Sequence, residues 1–391
     1  MDFDAWIVGG ALRDLALGRD VAEIDLAVTG DAEKIARALE SLGYGRAVLL
    51  SGERRPRVYR VAGRGRMLDL AELEGDSIGA DLARRDFTVN AVACALDSDD
   101  LVDPFGGMAD LAAGRLRMVA EKNLIDDPLR TLRAARLVAT HGFAPDEPTS
   151  AACRRTASAL SGVAPERVQA ELSKLLDARE IAPALLWAAK TGLLGPAFDL
   201  PVTDRRWSSA ARALRSFDAG FATRLSHPRR RRLRLALLAA RLGLSPAEAG
   251  AWLRRLRWGG DEAHEVSRLL GLASSVRGLR TDDQAWRWFL HAGDFAADAL
   301  LLIETLDPRS RSAVARMSSR IARRRPIPRV RGGDVLEWLG IAPGPRVGEL
   351  LEAVRVEGLA GRIRTRKEAR EWLRSRPVGP SLPPRSSPLK S

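Results

Sequence analysis

The run Val8-Gly9-Gly10-Ala11-Leu12-Arg13-Asp14 leaves the start of this chain few ways to fold. An apolar stretch, Ala5–Val8, reads as a strand that meets two glycines and turns directly into a helix. Glycine lets the backbone approach a ligand closely, and the amides of a helix N-terminus favour phosphate. Arg13 falls on the first turn of that helix, placed to grip a phosphate oxygen. A second strand follows over Ile24–Val28, just after Glu23. Glu23 and Asp25 are two residues apart, so on a strand they share one face. Paired carboxylates on one face are what two metal ions ~3.5–4 Å apart require. Taken alone, Gly9 and Gly10 mark no more than a turn. The carboxylate pair that follows at this distance adds the chemistry.

Further strands are expected at Ala47–Leu50, Arg57–Val61 and Arg66–Leu70, with Asp69 near the end of the last. A helix is expected over Asp31–Leu42, with Asp31 near its N-cap. Ser77–Arg84 and Thr88–Leu96 also read as helical. The first ~120 residues therefore describe an α/β unit. From Asp126 onward the apolar spacing is three or four, as in Leu129, Leu132, Leu137 and again in Val168, Leu172, Leu175, Leu176. Pro228–Leu242 reads as an arginine-rich helix. The proline-rich tail after Arg376 is expected to be disordered.

Charge follows the same division. The first 125 residues hold 16 Lys and Arg against 22 Asp and Glu, a net of −6; the remainder hold 47 against 28, a net of +19. An acidic part suited to divalent cations precedes a basic part suited to a polyanion. Arginine's excess over lysine also fits a GC-rich coding sequence, but that does not explain opposite signs in the two parts. Two cysteines, Cys94 and Cys153, exclude a disulfide scaffold and a cysteine zinc site. The four histidines, His141, His227, His264 and His291, show no metal-ligand spacing. No apolar run approaches the ~20 residues of a membrane span, and no basic n-region of a signal peptide opens the chain. A cytoplasmic protein with no membrane partner is expected.

Two more segments concentrate polar chemistry. In Asp81-Leu82-Ala83-Arg84-Arg85-Asp86-Phe87-Thr88-Val89-Asn90-Ala91, Arg85 can meet a phosphate or Asp86, and Asp86 and Asn90 can hydrogen-bond a ribose. A capped helix with a surface ion pair explains the same residues. In Asp126-Asp127-Pro128, an aspartate at the cap and proline at the first position announce a helix. Asp127, Arg130, Arg133 and Arg136 then recur every three residues as one polar stripe. An Asp–Arg pair can offer both acceptor and donor to a base edge, although capping plus a solvated face would give the same pattern.

Together these segments resemble the class II tRNA nucleotidyltransferase and bacterial poly(A) polymerase family, within the polymerase-beta-like superfamily. Asp103-Pro104-Phe105-Gly106-Gly107 with Asp110-Leu111 resembles the family's head-to-neck turn. Glu166-Arg167-Val168 with Glu171-Leu172 and Lys174-Leu175-Leu176 is similar to its neck motif. The resemblance covers residues 6–177, fades in the body, and returns faintly at Gly332-Gly333-Asp334 and Pro343-Gly344-Pro345. It implies an α+β head with a mixed sheet (1–120), a helical neck (121–180), a helical RNA-binding body (181–325) and a helical tail (326–376), before the expected disorder at 377–391.

The implied reaction is template-independent, magnesium-dependent addition of CMP or AMP, from CTP and ATP, to a tRNA 3′ end. By position, Glu23 and Asp25 would bind magnesium, with Asp69 a candidate third carboxylate. Gly9, Gly10, Arg13 and Arg85 would hold the triphosphate, and Asp86 and Asn90 the ribose. Asp127 and Arg130 would read the base, supported by Arg133 and Arg136. The family usually has Asp where Glu23 stands and Glu where Asp126 stands; both changes keep the charge. Poly(A) addition, and an RNA-binding protein inactivated at Glu23, are the alternatives. CC-only addition is a further variant. Complete CCA-adding members carry a flexible loop between the third-carboxylate strand and the Arg-Arg-Asp segment, and here about seven residues, Leu70 to Asp76, remain for it, near an ordinary connection. Leu50 to Arg57 is the other segment that could serve as that loop.

Overall fold

Alternating side chains give the segment Glu23–Val28 two different faces, and the head is assembled around it. The structure, a computed structural model, describes residues 3–50, 57–63 and 65–376. The expected tail disorder at 377–391, and most of Leu50 to Arg57, lie outside the described residues. The chain divides into two compact units, Met1–Ala263 and His264–Ser391.

In the first unit, β1 (Ala5–Val8) leads into α1 (Gly10–Ala16), β2 (Glu23–Val28) and α2 (Ala32–Ser41). Strands β3 (Arg46–Leu49), β4 (Val58–Gly63) and β5 (Arg66–Glu72) follow, then α3 (Ile78–Ala83), β6 (Ala93–Ala95) and β7 (Leu101–Val102). The seven strands form one sheet in the order β3-β4-β5-β2-β1-β6-β7. Only β2 and β5 run parallel; the other neighbours are antiparallel. The mixed sheet expected from the sequence is thus present.

Val28 and Leu70 on one sheet face pack with Ala32, Ile35 and Ala36 of α2, whose N-cap Asp31 accepts from the amides of Glu33 and Lys34. The opposite face carries Ala27 and Val8 beneath Leu82 of α3. Because the period is two, Glu23, Asp25 and Asp69 belong to this second face. Burying each leucine is worth roughly 1.5–3 kcal/mol, enough to fix which face is which.

Two expectations need correction. Asp69 lies mid-strand, because β5 runs on to Glu72. Thr88–Leu96 is not a helix: Thr88–Asn90 is a single 3-10 turn and Ala93–Ala95 is β6, registered with β1 through Trp6↔Ala95 and Val8↔Ala93. Backbone groups on the open edge of β1 need partners, and that demand outweighs the helix propensity of an alanine-rich stretch.

Helix α4 (Gly107–Ala112) follows the Asp103 turn. The Asp103 carboxylate accepts from the amides of Gly107 and Met108, at 2.6 and 2.9 Å. A side chain at residue 107 would place its Cβ 2.1 Å from the Thr88 carbonyl oxygen, so only glycine fits.

The rest of the unit is helical except for a two-strand contact between Arg115–Leu116 and Ala144–Pro145. Its helices are α5 (Glu121–Asp126), α6 (Leu129–His141), α7 (Glu147–Thr156), α8 (Pro165–Asp177), α9 (Ala182–Lys190), α10 (Leu194–Phe198), α11 (Asp204–Phe221), α12 (His227–Leu242) and α13 (Pro246–Arg255), with α14 (Gly260–Ser275) at the division. Leu129, Leu132 and Leu137 of α6 and Val168, Leu172, Leu175 and Leu176 of α8 are buried, as their spacing predicts. In the second unit the helices Gly332–Leu339, Pro345–Leu359 and Arg366–Arg374 pack around Val335, Trp338, Leu350, Val354 and Ile363. No helix among the described residues is long and apolar enough to cross a membrane.

Helix α12 spends part of its charge inside. Arg234 is 0% exposed and donates through Nε and Nη2 to Asp218 Oδ1, at 3.0 and 2.6 Å. The same guanidinium donates to the carbonyls of Leu176, Ala178 and Arg179, at the C-terminal end of α8. It thereby satisfies helix-end acceptors that would otherwise lack partners. Arg230 donates to the Asp177 carbonyl, and Arg231 pairs with Asp177 and Glu262. Arg234→Ala leaves Asp218 buried without its cation, and we expect it to lower unfolding free energy by about 3–5 kcal/mol. Urea denaturation followed by circular dichroism measures this; a loss below about 1 kcal/mol, the range of an exposed pair, contradicts the buried assignment.

Candidate active site

The end of β1, the start of α1, the start of β2 and the exposed side of α6 enclose a cleft of about 540 Å³. Gly9 holds its sharp corner with φ +71°, a conformation that suits glycine, and a Cβ there would lie 2.9 Å from Arg85 Nη1 and 3.5 Å from Asp25 Oδ2. Gly9, Gly10, Arg13, Glu23, Asp25, Arg85, Asp86, Asn90, Arg130, Arg133 and Arg136 all line this cleft. Asp69 and Asp127 do not.

Carboxylates on one wall face arginines on the others. The Asp25 carboxylate makes no hydrogen bond or ion pair among the described residues. It is reached by solvent through the mouth of the cleft, yet flanking protein strips away much of its water. That desolvation, then the charge of Asp69, then Glu23, raises its pKa against the opposing pull of Arg85 and Arg133. A divalent cation would reverse this penalty, and an all-oxygen carboxylate set suits a hard ion. Among the described residues, no three His, Cys, Asp or Glu side chains converge as a metal site. Asp69 is turned to Arg60 instead, which donates from Nε and Nη2 to its two oxygens, both at 2.7 Å.

A chain of buried polar contacts sets the rear wall. Arg13, 7% exposed, donates through Nη1 to Asn90 Oδ1 at 2.6 Å. The Asn90 amide donates to Asp86 Oδ1 at 2.9 Å, and Asp86 Oδ2 pairs with Arg133 Nε at 3.1 Å. Asp86 is 4% exposed; burial works to raise its pKa, but Arg133, Asn90 and the Phe87 amide reverse this and hold it below the usual carboxylate range. Behind Arg13, Asp14 accepts from Arg13 Nε and Nη2, both at 3.0 Å, and from His141 Nε2 at 2.9 Å. Burial again works to raise Asp14, yet the hydrogen bonds from His141 and Arg13, with their charges, bring its pKa down to about 2.

Several partners differ from those expected. Arg85 pairs through Nε and Nη2 with Asp81, one helical turn earlier, rather than with Asp86. Asp86 and Asn90 hold each other and their flanking arginines. Asp127 lies just before α6 and accepts from the Leu129 amide, and its other oxygen accepts from Arg167 of α8 at 2.9 Å, not from Arg130. Arg130 donates to the Arg84 carbonyl at 2.6 Å and the Asn123 carbonyl at 3.3 Å. Arg136 pairs with Glu171 at 2.6 Å. The supposed neck motif thus supplies Arg167 and Glu171 as partners of the α6 stripe.

The sequence assigns no role to Asp14 and Asp81, which stand inside the segments it singles out, nor to Arg60, Asn123 and His141. Asn123 donates to the carbonyls of Ala83 and Arg85, each at 2.8 Å, and so clamps the Arg-Arg-Asp segment. The Asp81–Arg85 pair was readable as an i,i+4 spacing. Nothing local signals His141, because its partner lies 127 positions away.

Comparison with known proteins fits this geometry. The Poly A polymerase head domain matches residues 5–77 and 56–117, and the probable RNA and SrmB-binding site of polymerase A matches residues 142–205. The CC-adding tRNA nucleotidyltransferase of Geobacter sulfurreducens is 34% identical over 95% of this chain and 91% of its own length. The chain belongs to the tRNA nucleotidyltransferase and poly(A) polymerase family. Within that family, the A-adding tRNA nucleotidyltransferase of Deinococcus radiodurans is 33% identical over 94% of each chain. The crystal structure of the Bacillus stearothermophilus CCA-adding enzyme in complex with CTP superposes with a TM-score of 0.72 at 27% identity, over 95% of this chain and 93% of that one.

The depressed Asp14 has a consequence for this family member's acid stability. Its folded pKa, about 2, lies below the ordinary 3.8, so its contribution is present above that ordinary value and lost as pH falls toward 2. Asp14→Asn removes the titrating group, so the stability lost between pH 5 and pH 2 should be smaller than in the parent. Urea midpoints measured across that range check this; parallel curves for the two proteins contradict the pairing.

Proposed function

We propose that this protein transfers CMP from CTP to the 3′ end of tRNA and stops after two cytidines. The cleft with Glu23 and Asp25 on one wall and Arg13, Arg85, Arg130, Arg133 and Arg136 around it is the observation that carries nucleotidyl transfer. An unpaired carboxylate facing guanidinium groups suits a nucleoside triphosphate held with a divalent cation. Glu23 and Asp25 are the residues to hold that cation, magnesium by their hard oxygen donors. When bound, it lowers the barrier for the RNA 3′-hydroxyl to displace pyrophosphate at the α-phosphate of CTP.

The chain's own groups do the rest. Gly9 keeps the corner bare, so that a phosphate can approach the backbone and the α1 N-terminus. Arg85 Nη1 is directed to that corner while Asp81 fixes the rest of its guanidinium. Arg13 is held by Asp14 and Asn90, so its remaining N–H groups meet an anion without reorganisation. Arg130 and Arg133 line the cleft from α6, Arg133 held by Asp86 and Arg130 by the Arg84 and Asn123 carbonyls, and this helix is the element to face a base. Asp127, tied to Arg167, acts through the start of that helix.

The limit of two cytidines rests on one connection. From the end of β5 at Glu72 to α3 at Ile78, five residues, 73–77, join the two elements. Two of them are already committed: the Leu73 amide donates to the Val28 carbonyl, and Ser77 caps α3. A stretch this short has no reach to refit the cleft from cytosine to adenine. The similarity to a CC-adding relative supports the same reading.

Two tests separate its parts. Asp25→Ala should lower nucleotide addition by ~10²–10³-fold or more, the scale for one preorganised charged group, while retaining tRNA affinity in a filter-binding assay. Addition near the parent rate would remove Asp25 from the site. For the product, tRNA lacking its CCA end is incubated with CTP and ATP together and the 3′ ends are sequenced. Ends finishing in CC are expected. Ends finishing in CCA overturn the two-cytidine limit, and long A tails move the protein to poly(A) addition.

A further inference from the structure

Three registered strands bring a cation into line with the carboxylates. Arg60 on β4 lies opposite Asp69 on β5, and Asp69 lies opposite Asp25 on β2. Side-chain alternation puts all three on the sheet face that opens to the cleft. The Arg60 guanidinium takes both Asp69 oxygens in a two-pronged contact, at 2.7 Å each, and its Nη2 reaches on to 3.7 Å from Glu23 Oε1. Asp25, next in the row, has no such partner among the described residues.

We infer that Arg60 is a resident cation that keeps Asp69 out of the divalent ion's coordination shell and steers the Glu23 carboxylate, so that Glu23 and Asp25 alone carry the ion. This rests on the metal-dependent reading of the cleft. Arginine stays charged, and its planar fork matches a carboxylate, so Asp69's two strongest acceptor directions are already used. An ion drawing on Asp69 would have to break both bonds and leave a fixed positive charge beside itself. With Arg60 in place, the three carboxylates present a net −2 rather than −3. Such a site suits an ion that is held by one or two carboxylates and completed by water and substrate phosphates, and that leaves with the product. Arg60 is a positioning residue in this account, and Asp69 is its anchor.

A plain cross-strand ion pair would place the same side chains together, and manganese affinity distinguishes the two. Free Mn²⁺ is titrated by electron paramagnetic resonance, without nucleotide, against the full chain and its variants, with circular dichroism confirming that each is folded. We expect Asp69→Asn to bind Mn²⁺ within about threefold of the parent, and Arg60→Gln to bind about tenfold more tightly as Asp69 joins the ion. The double variant should return near the parent, because the gain depends on Asp69. A loss of tenfold or more in Asp69→Asn alone would make Asp69 a direct ligand and overturn the proposal, as would an unchanged affinity in Arg60→Gln. Asp25→Asn should lose Mn²⁺ in both the parent and the Arg60→Gln background. If the parent itself binds no Mn²⁺, the metal reading of the cleft fails, whatever Arg60 does.

Discussion

The parallel pairing of β2 with β5 is the constraint on which the cleft depends. It sets Asp25 beside Asp69 and Val28 beside Glu72, and it couples those positions to the packing on both sheet faces. Val28 and Leu70 are committed to the α2 side, and Ala27 to the α3 side. A slip of one residue would drive Asp25 into the α2 core and bring Leu26 into the cleft, exchanging every side chain on the strand. The hydrophobic core and the acid pair are therefore specified by the same register. Neither can drift without the other, and the carboxylates are held by packing that never touches them.

Around that fixed row, the cleft is an exercise in pairing charges before any ligand arrives. Most of its arginines already have carboxylate or carbonyl partners: Arg13 with Asp14, Arg85 with Asp81, Arg133 with Asp86, Arg136 with Glu171. Burying a guanidinium without such a partner would cost several kcal/mol. The partners also fix rotamers, so the donors left over point in set directions. Asp25 is the exception, a carboxylate whose local surroundings disfavour its charge. The arrangement is stiff toward anions and electrostatically incomplete toward a cation.

Much of this was legible in the sequence, and for identifiable reasons. The strand–Gly-Gly–helix corner, the Glu23/Asp25 face and the α6 stripe are local patterns with fixed periods, and all eleven residues that the structure places in the cleft among those expected come from these three segments and the Arg85–Asn90 run. Gly10 is the quiet one, a glycine whose Cβ would crowd Arg13 at 3.3 Å. What could not be read were partners. Asp127 was matched with Arg130 because they share a helix, whereas the fold gives it Arg167 from α8. Helix α12 reads from the sequence only as an arginine-rich helix, whereas the fold turns Arg234 inward to close the end of α8. Thr88–Leu96 reads as helical from its local pattern, whereas the open edge of β1 recruits Ala93–Ala95 as a strand. In each case the deciding contact came from far away along the chain, where neither spacing nor propensity reaches.

The ion pair between Asp86 and Arg133 joins the Arg-Arg-Asp segment to α6, and this bears on how the molecule is made. Asp86 is almost wholly buried, and its cation emerges from the ribosome only 47 residues later; the His141 that steadies Asp14 comes later still. A nascent chain ending near residue 120 would hold the complete sheet but would have to bury, or expose, a carboxylate without its counter-charge. The sheet and α6 are thus obliged to mature together, and the cleft is closed only by helices translated after the last strand of the sheet.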